Sequence, residues 1–183
     1  TWVSLGGYSF PEGQGSGSSS VLIRNAGTSG TVVADAVRFR KISTAETENL
    51  AVLSVSGGTH AITTDTGMSN GKGTSLSPGS VGGHVVYQIP NVAPGTYLIK
   101  ARVKKLPNRA ICQLAVANHG GSYTNVGVAQ DLYSAAVSFT ELSIGTWTTT
   151  TTGTKNLRFT ITGKNSSSTG YTMVFDYFRL VPQ

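Results

Sequence analysis

An all-β fold is predicted for this chain on three observations. Glycine is frequent, at 23 of 183 residues, and Ser and Thr abound while charged residues make up only 12%. Runs of Ala, Leu, Glu and Lys, the residues that favour helices, are absent. Short stretches alternate apolar and polar side chains with period two between Gly, Pro and Asn turns, the pattern of half-buried strands.

In chain order, residues 1–40 read as strand regions at 2–10, 21–24 and 31–39. They are broken by the Gly/Ser-rich loop 11–20 and by Asn25-Ala26-Gly27-Thr28-Ser29-Gly30. Residues 40–47 read as a linker. Beyond it Val85, Tyr87 and Ile89 alternate, and Tyr97, Ile99, Ala101 and Val103 face one way while Leu98, Lys100, Arg102 and Lys104 face the other. Strands at 111–116, 139–147 and 157–161 come next. The last, Val174-Phe175-Asp176-Tyr177-Phe178-Arg179-Leu180, is almost wholly apolar or aromatic and reads as buried on both faces. No helical crossovers are legible, so the pairing is expected to be mostly antiparallel.

Val33-Ala34-Asp35-Ala36-Val37-Arg38-Phe39 repeats the order apolar, x, Asp, x, apolar, Arg, apolar of the last strand. The repeat predicts two related modules in tandem, an N-terminal group of β-strands over 1–42 and a β-sandwich over 43–183. The opening Thr1-Trp2-Val3 already lies inside a strand pattern, as in a piece of a longer protein.

Lys and Arg outnumber Asp and Glu by 14 to 8, a net charge of +6. The surplus fits an anionic partner and equally fits simple solubility. The charges are dispersed rather than striped with aromatics, which argues against nucleic acid. No apolar run is long enough to span a membrane, so no membrane partner is expected. Cys112 stands alone in Ala110-Ile111-Cys112-Gln113-Leu114 and reads as a core thiol, with no disulfide possible within the chain.

Asp176 in a buried strand needs compensation, because an unpaired buried charge is very costly. Glu46 and Glu48 are its expected neighbours. Three acids do not neutralise one another, whereas a hard divalent cation neutralises all three, and calcium favours such oxygen ligation.

Antiparallel order sorts the loops onto two poles. Residues 71–83, 104–109, 131–137 and 164–170 fall at one, here called the loop pole, and 91–95, 119–121 and 148–154 at the other. The first group gathers Lys72, Lys105, Asn108, Arg109, Asp131, Tyr133, Lys164 and Asn165.

Glu46-Thr47-Glu48-Asn49-Leu50, Val86-Tyr87, Ala93-Pro94-Gly95-Thr96-Tyr97, Arg102-Val103 and Phe175-Asp176-Tyr177, in that order, resemble a carbohydrate-binding module of the family six and thirty-five type. The resemblance covers about 43–183 and implies a calcium-binding jelly-roll β-sandwich appended to a secreted bacterial polysaccharide-degrading enzyme. Residues 1–40, with Trp2-Val3-Ser4-Leu5-Gly6 and 33–39, resemble the closing half of the module shared by golvesin and bacterial xanthan lyase.

The resemblance implies a structural calcium at Glu46, Glu48 and Asp176, and a sugar cleft at the loop pole. The family's cleft asparagine matches Asn165, and its aromatic matches Phe139 or Tyr133. A second aromatic, expected within 75–81, has no counterpart here. A charged cleft is the alternative to gripping one ring between two aromatics. Sugars bind by stacking a ring face on an aromatic and by hydrogen bonds to polar side chains. Tyr133 and Phe139 supply faces, Asn108, Asp131 and Asn165 supply hydrogen bonds, and Lys105, Arg109 and Lys164 suit the carboxylate of a uronate or pyruvate.

The expected function is a non-catalytic, extracellular module that binds a polysaccharide. Its expected ligand is an anionic one such as xanthan, and its role is to target an upstream catalytic domain to the polymer. The other reading is a structural or adhesive sandwich packed on that domain. Enzymatic readings fare poorly. A glycosidase needs two acids set across a bond, and the whole chain has eight acids. His60, His84 and His119 lack any metal-ligand spacing. Gly71-Lys72-Gly73-Thr74 lacks the glycine spacing of a phosphate loop.

Overall fold

A computed structural model describes residues 43–183, together with Ala26, Gly27 and Ser29. The strands expected within 1–42 lie outside the described residues. The chain divides into Thr1–Lys41 and Ile42–Gln183.

The strands of the second unit are β1 (Ser43–Glu46), β2 (Ala51–Ser56), β3 (Gly58–Thr64), β4 (Lys72–Pro78), β5 (His84–Val92), β6 (Gly95–Lys105), β7 (Ala110–Asn118), β8 (Thr124–Asp131), β9 (Ser138–Thr149), β10 (Gly153–Lys164) and β11 (Met173–Pro182). Among the described residues, helical structure is limited to 3₁₀ turns at Thr47–Asn49 and Ser69–Gly71. One sheet runs β3-β4-β11-β6-β9, with β1 also paired to β11, and the other runs β2-β5-β10-β7-β8. The strand pairs are antiparallel throughout. This is the all-β, jelly-roll class of sandwich that the sequence predicts.

Period two is obeyed where the core needs it. Ile99, Ala101 and Val103 of β6 are fully buried between the sheets, as are Val85 and Tyr87 of β5 and Leu157 and Ile161 of β10. The aromatic centre is Tyr87, Phe159, Phe175 and Phe178. The ring centroid of Phe159 lies 4.4 Å from that of Phe175 and 5.1 Å from that of Phe178. Cys112 belongs to this core, and burial pushes its thiol up to about 12, so it is inert there.

The last strand departs from strict alternation. Phe175 and Phe178, three residues apart, both enter the core. The cause is a bulge: Phe175 pairs with Val103 and Tyr177 pairs with the adjacent Arg102, leaving Asp176 as an extra residue. A bulge of this kind re-aims one side chain and shifts the face of all that follow. The two sheets meet at the β8–β9 edge, where Gly127 adopts φ 62° and a Cβ would stand 1.8 Å from the Ile144 carbonyl oxygen. Only glycine permits that approach.

The structure corrects the expectation of one long loop over 71–83: Lys72–Pro78 forms β4, between β3 and β11. Leu76 is its one large core side chain, so its apolar signal is weak. Lys72, opposite Thr64 at the start of that strand, does not join the loop pole.

Candidate functional site

Three loops at one pole are sewn to one another by backbone hydrogen bonds. From the β10–β11 loop, Thr169 N–H donates to Pro107 O (2.9 Å) and Thr172 N–H to Asn108 O (3.1 Å), both in the β6–β7 loop. Ser134 N–H of the β8–β9 loop donates to Leu106 O (3.3 Å), and Leu132 N–H to Ala110 O (3.0 Å). Side chains complete the stitching. Asn165 Nδ2 donates to Asp131 Oδ2 (2.7 Å), its Oδ1 accepts the Ser167 N–H (3.0 Å), and Asp131 Oδ1 accepts the Tyr133 N–H (2.9 Å). The short Asn and Asp side chains cap turns in this way because they reach backbone N–H groups two residues on.

Asn108, Asp131, Tyr133 and Asn165, expected together on the strength of loop order, are thus gathered at one place. Asn108, Asp131 and Lys164 are exposed there, and Tyr133 and Asn165 are half-buried. Lys164 Nζ lies 5.1 Å from the Tyr171 ring centroid, so its cation rests on an aromatic face at the rim. Lys105, half-buried, closes β6 opposite Ser138, beside the same loops.

Two expected contributors sit differently. Arg109 is only 4% exposed. Its Nε donates to Lys104 O (3.0 Å) and its Nη1 to Asn108 Oδ1, while Ser168 Oγ donates to the Arg109 carbonyl (2.8 Å). Burial pulls its pKa down to about 10, which still leaves it charged at neutral pH. Arg109 therefore anchors the β6–β7 loop from within rather than standing as an exposed carboxylate clamp. Phe139 lies on the outer face of the β6–β9 pair, not among the loops. It is a strand residue opposite Lys104, with its ring 5.3 Å from Arg102 Cζ and 5.9 Å from Lys104 Nζ. Gly67 packs so closely on it that a Cβ there would come within 2.2 Å of the ring. Of the two aromatics left open by the sequence, Tyr133 is the one at the loop pole.

The acids form a second neighbourhood. Asp176 is fully buried, and both its carboxylate oxygens accept the Ser69 N–H (3.0 and 3.1 Å) while Arg102 Nη1 pairs with Oδ2. The bulge makes this possible by turning Asp176 out of the core beside the β3–β4 turn. Thr47 Oγ1 straps the adjacent 3₁₀ turn to the carbonyls of Phe175 and Asp176, at 2.9 Å each. Glu46 Oε1 accepts the Ser69 hydroxyl (3.0 Å). Among the described residues no hydrogen-bond partner reaches the buried Glu46 Oε2 and Glu48 Oε2. Burial first, and then the nearby Glu48 and Asp176 charges, push the Glu46 carboxyl above its ordinary value against the Ser69 hydrogen bond and Arg179.

The fit to a hard cation is therefore divided. The two glutamates offer orphaned buried oxygens of the type calcium takes. Asp176 is already neutralised by Arg102. Among the described residues no three Asp, Glu, His or Cys side chains are grouped as a ligand set. Sequence reasoning missed Arg102 and Ser69 as the groups facing Asp176. The signal for the turn was present in Asn70-Gly71, whose φ values are 53° and 67°. Nothing in the sequence placed Arg102 opposite a bulge.

No family model and no curated protein sequence matches this chain. Among solved structures it is similar to part of a Paenibacillus xanthan lyase, with TM-score 0.70 and 32% identity over 76% of this chain. The match spans 13% of that enzyme. The chain is also similar to a CBM35 module from Cellvibrio japonicus Abf62, with TM-score 0.49, 14% identity, and 77% of this chain and 93% of that one covered. A third likeness is to carbohydrate-binding module CBM6cm-2 of Cellvibrio mixtus lichenase 5A, solved with cellotriose. It has TM-score 0.47 and 19% identity, covering 77% of this chain and 97% of that one.

Proposed function

We propose that residues 43–183 form a non-catalytic carbohydrate-binding module of a secreted bacterial polysaccharide lyase or glycoside hydrolase, taking an acidic polysaccharide at the loop pole. The observation that carries this reading is the set of three loops bonded to one another at the backbone. They hold Asn108, Asp131, Tyr133 and Asn165 in fixed positions beside Lys105 and Lys164. Preorganised polar groups bind sugars without first losing conformational entropy. The likeness to part of a xanthan lyase supports the same reading and suggests a uronate-containing polymer as ligand. Tethering would raise the enzyme's local concentration on its substrate, the logic of linked sites.

The reading includes a structural calcium held by Glu46, Glu48 and Asp176. The orphaned oxygens of the two glutamates support it. When bound, the ion would supply positive charge to acids that lack it, and Arg102 would compete with it for Asp176.

Affinity electrophoresis against xanthan, hyaluronan, alginate and neutral glucans tests the module. Retardation by an acidic polymer is expected, with Asn165→Ala weakening it about tenfold, the effect of losing one or two hydrogen bonds at about 1 kcal/mol each. His119→Ala, at the far pole, should weaken it less than Asn165→Ala does. Retardation by none of the gels would favour a structural sandwich packed on the catalytic domain.

A further inference from the structure

The pole opposite these loops holds a buried charge without an opposite charge. Lys155 is 1% exposed, yet its ammonium donates only to neutral acceptors: Asn118 Oδ1 (2.6 Å), Thr151 O (2.8 Å) and Thr151 Oγ1 (3.1 Å). Among the described residues no carboxylate pairs with it. Buried charges are ordinarily paired, because desolvating an ammonium is expensive. Lys155 is therefore the exception that asks for an explanation.

Beside it opens a cleft of about 190 Å³, lined by Asn118, Ser122, Thr124, Trp147, Thr148 and Thr149 among others. Hydroxyls and one carboxamide dominate this lining, and an indole supplies the apolar wall. The Trp147 ring centroid is 6.0 Å from Lys155 Nζ. Asn118 links the cleft to the buried cation. Lys155 and Thr151 occupy its Oδ1 (2.6 and 3.4 Å), so the amide N–H groups are what Asn118 has left to offer. A donor polarised by a cation on its far side favours an anionic acceptor.

We propose that this cleft is a second saccharide site, taking the carboxylate-bearing sugar of a uronate at Asn118, with Lys155 as the positioning residue behind it. Its volume is below the roughly 300–1,000 Å³ of sites for drug-sized ligands, which suits a single ring or a chain end. The inference rests on the reading of the module as sugar-binding and makes it bivalent. Two sites at opposite poles would engage two polymer chains, or two distant points on one.

The test is a nitrogen-15 NMR titration of the full chain with digalacturonate, and with cellobiose as the neutral control. Digalacturonate should shift the amides of Asn118, Ser122, Thr124 and Trp147 to Thr150. Ser122→Trp, which fills the exposed mouth, should abolish those shifts and spare the ones at Asn108, Asp131 and Asn165. Asn118→Asp is the deciding variant. It keeps an acceptor for Lys155 and gives the ammonium a counter-charge, so a purely structural lysine predicts equal or higher stability with far-pole shifts intact. The binding role predicts undiminished stability with uronate affinity at this pole reduced at least about tenfold, through repulsion of like charges. Absent far-pole shifts, equal shifts with cellobiose, or an unaffected Asn118→Asp protein would each overturn the proposal. Missing shifts at the loop pole alone would instead remove the primary site and leave this one standing.

Discussion

Two carboxylate neighbourhoods flank the last strand of the sandwich, and they are built in opposite ways. On the outer face, Glu141 accepts from Lys100 Nζ (3.0 Å), Arg179 Nη1 (3.0 Å) and the Tyr177 hydroxyl (2.9 Å). Burial pushes its carboxyl up, but these partners outweigh it and hold it below its ordinary value. Around the bulge, Glu46 and Glu48 each bury one oxygen that no described residue satisfies, and the Glu46 carboxyl is held above its ordinary value. One neighbourhood is complete as it stands, while the other is complete only in part, through Arg102 and Asp176. A half-satisfied polar group costs stability in a fold, and the calcium proposed above would offset that cost at the bulge.

The largest effect should come from Asp176→Ala. The substitution leaves Arg102, whose side chain is 25% exposed, without its partner and the Ser69 N–H without an acceptor, beside a fully buried position. Removing one member of a fully buried pair costs about 3–5 kcal/mol, and solvent at Arg102 lowers the expected loss to about 2–3 kcal/mol, which chemical denaturation would read directly. A cost below about 1 kcal/mol would mean that Asp176 is not what organises the bulge.

Next in size is the response to calcium. In chelator, Glu46→Gln should stabilise the protein, since it removes a buried carboxylate whose ionised form the fold disfavours. The sign comes from linkage. A carboxyl raised in the folded state lowers stability as pH climbs from the ordinary glutamate value through the raised one, and it does so fully above that. Glu141 and Asp65, both lowered, act the other way: their contribution is present above the ordinary value and is lost as pH falls through the lowered one. Metal-free wild type should therefore be less stable at neutral pH than Glu46→Gln. Saturating calcium should reverse the order, with melting shifts of roughly 2–4 °C per 1 kcal/mol for a chain of this size. Identical melting of the wild type with calcium and with chelator would remove the metal from the account.

How much of this was legible in the sequence depends on where the physics is local. β5, β6 and β10 were readable because period two drives one face of each into the core, and β7, β9 and β11 because their apolar and aromatic residues cluster between turns. β2, β3 and β4 were not. Their residues are mostly exposed or small, as in Gly58-Thr59-His60-Ala61-Ile62-Thr63-Thr64, where no side chain is buried. The loop pole was legible because antiparallel order alone assigns loops to ends, whatever their composition. Phe139 and Arg109 were misjudged for a shared reason. Both abut the loops in sequence, but one is already a strand residue and the other turns inward to satisfy a carbonyl. Proximity in sequence to a loop does not reveal which way a side chain faces. Asp176 was legible as a problem, since an acid in an apolar strand demands a partner. The identity of that partner depended on a bulge, a register feature that no single strand encodes.

The smallest expected effect sharpens the opening contrast. Glu141→Gln keeps the side chain's shape and one acceptor oxygen while removing its charge. Its partners are partly solvated, with side chains 30% exposed at Lys100 and 38% at Arg179. Exposed pairs of this type contribute about 0–1 kcal/mol each, because water already solvates both charges well. Arg179 also retains the face of Tyr177, 4.6 Å from its guanidinium carbon, when the carboxylate is gone. The loss should therefore stay near about 1 kcal/mol and shrink further in high salt, both readable from denaturation at two ionic strengths. A salt-independent loss of several kcal/mol would mean that this ladder behaves as a buried network. The distinction between a finished acid site and an unfinished one would then have to be drawn on geometry alone.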